Sequence, residues 1–106
     1  MPHCYGKPAS LATLIDIQPD AVVSKTILHK PVGTLTLFAF DQGQSLSEHT
    51  SPYDATVQAL EGCAELTIDG KSLTAKAGQI VVMPANLPHD VAAVEPMKML
   101  LIMIRS

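Results

Sequence analysis

Residues Gly62–Gly78 read GCAELTIDGKSLTAKAG, and this stretch decides the fold class. CAELTI and KSLTA are strand-sized segments of mixed polar and apolar residues on either side of Asp69-Gly70. An Asp-Gly pair between two such segments is the strongest short hairpin signal, because a two-residue turn of matching twist needs positive φ at both central positions. Gly62 and Gly78 bound the unit, so it reads as two antiparallel strands closed by a tight turn.

The same punctuation continues outward in both directions. On the N-terminal side, AVVSKTILH stops at Pro31 and Gly33, TLTLFAF at DQG, and DATVQAL at Glu61-Gly62. On the C-terminal side, QIVVM ends at Pro84, HDVAAV follows Pro88, and MKMLLIMI closes the chain. About eight short strands at regular spacing, with no helical period after the first twenty residues, predict an all-β antiparallel sandwich or barrel. SLATLIDI, with Ser10 as a cap, allows a short N-terminal helix. Residues 1–33 form an N-terminal segment carrying the first strand, and residues 34–106 the barrel of a single domain.

Composition narrows the function classes. The chain has 106 residues, 47 % of them apolar and 16 % charged. That is greasy for so short a soluble chain and points to apolar surface covered by a partner. Ten acids against seven bases give a net charge of −3, and Trp is absent. No electrostatic footprint or stacking platform for nucleic acid is expected. Cys4 and Cys63 form no spaced motif and read as reduced thiols of a cytoplasmic protein. The opening MPHCYGKPAS lacks the charged-then-apolar order of an export signal, and no apolar run has membrane-spanning length.

Two segments flanking the hairpin choose among β folds. In the first, Gly43 is followed by five residues, His49-Thr50-Ser51, three residues, Ala55, six residues and Gly62. In the second, Gly78 is followed by five residues, Pro84, Ala85, Asn86, two residues, His89, three residues and Ala93. Together they resemble the two motifs of the cupin superfamily, small jelly-roll barrels, and the resemblance spans roughly residues 34 to 106. In that family's pattern a second His stands where this chain has Ser51, a Glu where it has Ala55, a Gly at Asn86 and an Asn at Ala93. The resemblance implies a cupin-like jelly-roll barrel of the small, single-domain kind.

It also implies an inward-facing site of three His and one Glu holding Fe, Mn, Ni or Zn, of which only His49 and His89 are present. Two imidazoles leave most of a first-row metal's coordination to water and weaken binding. Asp54 and Gln58 lie near enough in sequence to complete such a site. Strand alternation sets the condition. If Ala55 points inward, Ala55, Val57 and Ala59 line the interior, and Asp54 and Gln58 face away. A bulge or one-residue shift in SPYD would reverse this. On the last strand, Met97, Met99, Leu101 and Met103 fall on the interior side, and Lys98, Leu100, Ile102 and Ile104 on the other.

Without metal, a His pair facing one cavity still binds an acidic ligand or moves a proton, since imidazole titrates near neutral pH. His29 matches neither motif and is expected on the surface. His3-Cys4 would contact only a soft metal. Cys63 reads as a small packing residue, reactive only if a neighbouring base lowers its pKa.

Three functions are compatible with these residues. The first is a small-molecule-binding barrel with a degenerate metal site, acting as a sensor or accessory protein. The second is a metal-dependent oxygenase, isomerase or decarboxylase acting on a small carbonyl or acid through a two-His site. The third is a structural homodimer whose interior is filled by Met and Leu. All three share an expected homodimer, because the face bearing Leu35, Leu37, Leu100, Ile102 and Ile104 is too apolar for water. Neither catalytic residues nor a substrate can be named from the sequence.

Overall fold

The structure is a computed structural model, and residues 5–105 are described. Nine strands follow a 3-10 turn at Leu11–Thr13. They are β1 (Val22–Lys30), β2 (Gly33–Phe40), β3 (Ser45–His49), β4 (Asp54–Glu61), β5 (Cys63–Ile68), β6 (Lys71–Lys76), β7 (Ile80–Met83), β8 (His89–Ala92) and β9 (Met97–Ile104). They form two antiparallel sheets, one ordered β1-β2-β9-β4-β7 and the other β3-β8-β5-β6. No helix among the described residues is long and apolar enough to cross a membrane.

The β5–β6 hairpin turns at Asp69 and Gly70, with φ of 49° and 80°, the doubly positive geometry that an Asp-Gly turn favours. β3 is the strand the sequence conceals. SLSEH is short and almost entirely exposed, so no apolar period marks it. It is held instead by pairing with β8, which sets His49 opposite His89. At Asn86, where the family pattern has Gly, φ is 67°. Asn tolerates this left-handed region better than other non-glycine residues.

The main core lies between the sheets. Phe40, Ala55, Val57, Ala59, Met97 and Met99 from the larger sheet meet Ala64, Leu66, Ala75 and Val91 from the smaller. Each set obeys the two-residue period that puts alternate side chains on one face. Loss of a fully buried side chain such as Phe40 would cost about 3–5 kcal/mol.

A second cluster lies on the outer face of the larger sheet. Ile15, with Leu11, Leu14 and Ile17 beside it, packs on Ile27, Leu37, Ala39 and Leu100. The 3-10 turn brings these N-terminal residues down onto the sheet, and two lysines tie it there. Lys25 donates to the Leu14 carbonyl at 3.2 Å. Lys98 donates to the Ala12 carbonyl at 2.7 Å and pairs with Glu61 at 3.2 Å. Lys98 is therefore mostly buried rather than facing solvent. Leu37 and Leu100, which the sequence assigned to a partner subunit, are covered by the chain's own N-terminal segment.

Candidate functional site between the sheets

The two motif histidines come together. His49 ends β3, His89 begins β8, and their rings meet edge to face with centroids 4.4 Å apart. His89 is 4 % exposed, whereas His49 is open to solvent. His49 Nδ1 lies 2.7 Å from the Ser47 carbonyl and His89 Nδ1 3.1 Å from the Leu87 carbonyl. A carbonyl oxygen only accepts, so both Nδ1 atoms carry protons and donate. In the neutral rings this leaves Nε2 as the lone-pair nitrogen, available to a ligand proton or a metal.

Below the rings the interior is nearly full. The cavity they share with Ala55, Met83, Met99 and Met103 has a volume of about 30 Å³. That is on the order of one water molecule's share of liquid. Met103 and Leu101 pack against the core, Met99 is within it, and Val57, Ala59 and Met97 are buried deeper without lining this cavity. Small residues on β4 therefore leave little empty space, because unbranched methionine side chains occupy it.

Asp54 and Gln58 are not brought to the histidines. β4 stays in register with β9 from Asp54 to Ala59, with its irregularity only between Ala59 and Glu61. Ala55 is buried inward, so Asp54 and Gln58 fall on the opposite face. Asp54 Oδ1 accepts the Ala85 N–H at 2.9 Å, and so anchors the turn after β7. Ser51 Oγ accepts the Tyr53 N–H at 3.1 Å. Among the described residues no three His, Cys, Asp or Glu side chains gather as a metal would require. The donor set supplies two imidazoles, and does not fit the four-ligand site that the motifs suggest. His3 and Cys4 lie outside the described residues.

Cys63 remains a free thiol at the start of β5. A hydrogen bond to Glu95 raises its pKa, helped by burial and by the Glu95 charge. A raised pKa keeps sulfur as the unreactive thiol.

His29 is exposed, as the sequence suggested, and the register adds that it belongs to the inner row of its sheet. β1 pairs regularly with β2 from Val22 to Thr26, shifts between Thr26 and Leu28, and resumes with His29 opposite Thr34. Thr34 pairs in turn with Met103, Met103 with Ala55, and Ala55 with Met83. The row His29–Thr34–Met103–Ala55–Met83 thus runs across the inner face of the larger sheet. Two residues out from Met103 and Ala55 on the same face lie Arg105 and Tyr53. Arg105 stacks its guanidinium 4.7 Å above the Tyr53 ring. These groups border a pocket of about 370 Å³ at the open end of the barrel, which shares Met103 with the small cavity. The only available signal was the bulge, and a one-residue shift leaves no mark in composition.

Residues 36–104 match the family described as Cupin domain. A conserved protein of unknown function from Streptococcus pyogenes is 37 % identical, with a TM-score of 0.92 over 100 % of this chain and 91 % of its own. A cupin superfamily protein from Desulfitobacterium hafniense is 28 % identical, with a TM-score of 0.89 over 94 % of this chain and 92 % of its own. A cupin 2 conserved barrel domain protein from Leptotrichia buccalis is 40 % identical, with a TM-score of 0.86 over 89 % of this chain but 46 % of its own. No curated protein matches the chain.

Proposed function

The chain belongs to the cupin domain family, and on that premise we propose that it is a small-molecule-binding barrel, a sensor or accessory protein whose ligand sits at the mouth over His49 and His89. One observation carries this reading. Both imidazoles are fixed through Nδ1 by backbone carbonyls, which leaves two Nε2 atoms ready for a ligand. A cavity of about 30 Å³ beneath them admits no more than the tip of a molecule, so the body of the ligand occupies the mouth pocket.

Elemental analysis of protein purified without added metal, beside native mass spectrometry, tests it. Substoichiometric metal and a co-purifying small molecule support the reading. One equivalent of Fe, Mn, Ni or Zn, lost in both His49→Ala and His89→Ala, would replace it with the metal-dependent enzyme reading. Acting without metal, the pair would serve as proton acceptors or hydrogen-bond partners, since fold alone assigns no chemistry.

A homodimer is part of the same proposal, over a smaller face than the sequence suggested. Leu28, Leu35, Ile102, Thr56 and Val82 pair successively across the outer face of the larger sheet. Beyond the N-terminal cover, Val82 is 58 % and Ile104 59 % exposed. A second copy is the occupant this strip suits, since self-complementary apolar faces are the commonest basis of two-fold assembly. Sedimentation at micromolar concentration that finds only monomer would remove this part.

A further inference from the structure

We propose that the mouth pocket is a carboxylate-binding subsite, in which Arg105 and His29 hold the acid group of the ligand, Lys30 adds positive charge at the border, and Met103 passes the ligand's apolar body toward His49 and His89. This deepens the small-molecule reading above and rests on it.

The inward rows of four strands change character at the same rim. β9 runs Met97, Met99, Leu101 and Met103 along the interior, and then reaches Arg105. β4 begins its inward row at Ala55, and Tyr53 precedes it. β2 ends toward this rim in Thr34, and β1 in His29. The apolar interior thus closes in a collar of hydroxyl, imidazole and guanidinium groups. Without the irregularity at Thr26/Leu28, β1's period of two would send Leu28 and Lys30 inward instead. The bulge therefore places a nitrogen donor where an apolar side chain would otherwise close the collar.

Charge selects the ligand class. Lys30, His29 and Arg105 border the pocket and no Asp or Glu does, in a chain whose net charge is −3. Lys98–Glu61 is the one ion pair among the described residues, so neither Lys30 nor Arg105 has a carboxylate partner there. Arg105 Cζ lies 4.7 Å over the Tyr53 ring, and among the described residues no side-chain hydrogen bond or ion pair takes up its N–H donors. A planar fork of this kind matches a carboxylate with two parallel hydrogen bonds. The pocket volume of about 370 Å³ is at the lower end for small organic ligands.

The test is a titration of the full chain, followed by methyl NMR of Met83, Met99 and Met103, with benzoate and with its neutral isostere benzamide. Benzoate should saturate shifts at Met103 and bind about tenfold more tightly than benzamide. Arg105→Gln should erase that preference while leaving the apolar methyl spectrum native, and Arg105→Lys should restore only part of it. Equal binding of benzoate and benzamide at Met103 would overturn the carboxylate subsite while leaving the barrel reading intact. Inorganic phosphate displacing benzoate at equal concentration would overturn the assignment to a planar acid. No shift at Met103 with either probe would overturn both.

Discussion

Lys98, in the middle of β9, reaches across the chain to the carbonyl of Ala12 at 2.7 Å. An ammonium mostly shielded from water, bonded to a turn carbonyl and to Glu61, ties the N-terminal segment to the sheet. Charge-assisted bonds of this kind contribute about 1.5–3 kcal/mol. Lys98→Ala should lower stability by roughly 1–3 kcal/mol and speed amide exchange at Thr13 and Leu14, whose N–H groups close the 3-10 turn. Urea unfolding with exchange NMR would check this, and unchanged exchange at both amides would refute it.

Gly62 adopts φ of 69° between β4 and β5, and a Cβ there would run into the Pro96 carbonyl and lie 2.9 Å from Met97 Cβ. Gly62→Ala therefore combines a left-handed backbone with a steric clash, and should cost about 2–4 kcal/mol. Gly43, at φ of 84°, has nothing within 4 Å of the same added atom. Gly43→Ala should cost only about 1–2 kcal/mol, and thermal melts that reverse the order of the two would contradict the geometry.

The two histidines differ in what they do for stability. His89 is buried beneath the ring of His49, so His89→Ala leaves a gap between the sheets and should cost about 2–3 kcal/mol. His49→Ala removes an exposed ring and should stay within about 0.5 kcal/mol of the parent. Denaturant midpoints of the two variants check this contrast.

Cys63 predicts a pH dependence. Its thiol is held protonated by Glu95, so its pKa in the folded state lies above the ordinary value of 9.0. In the window between those two values the unfolded chain binds fewer protons than the folded one. Stability therefore falls as pH rises through that window. Glu95→Gln removes the charge that opposes thiolate formation, and iodoacetamide should then label Cys63 several-fold faster near pH 8.5. Equal rates in parent and variant would show that Glu95 does not govern the thiol.

What the sequence made legible was local. Asp69-Gly70 announced its hairpin because the turn's dihedrals belong to those two residue types. The spacing of Gly43, His49, Gly62, Gly78, Pro84 and His89 placed two strands and two rings because each marks a turn or a strand end. What stayed hidden was non-local or phase-dependent. The contact of Lys98 with Ala12 joins residues at opposite ends of the chain, so an outer face that reads as a subunit interface is partly filled from within. β3 has no apolar period to betray it, and its pairing with β8 defines it. That the exposed His29 belongs to the inner row was hidden by a shift of one residue, which changes the direction of a side chain without changing any letter nearby.

That shift has a consequence at the mouth. The tip of β1 offers Leu28, His29 and Lys30 in succession, and the backbone irregularity decides which of them joins the collar. Were β1 to pair with β2 in unbroken two-residue alternation, Leu28 would stand opposite Thr34 and His29 would turn to the outer face. One extra residue in one strand thus sets what the mouth presents, and it does so through pairing rather than through the identity of any rim residue. The barrel keeps its core, and its selectivity becomes a matter of counting.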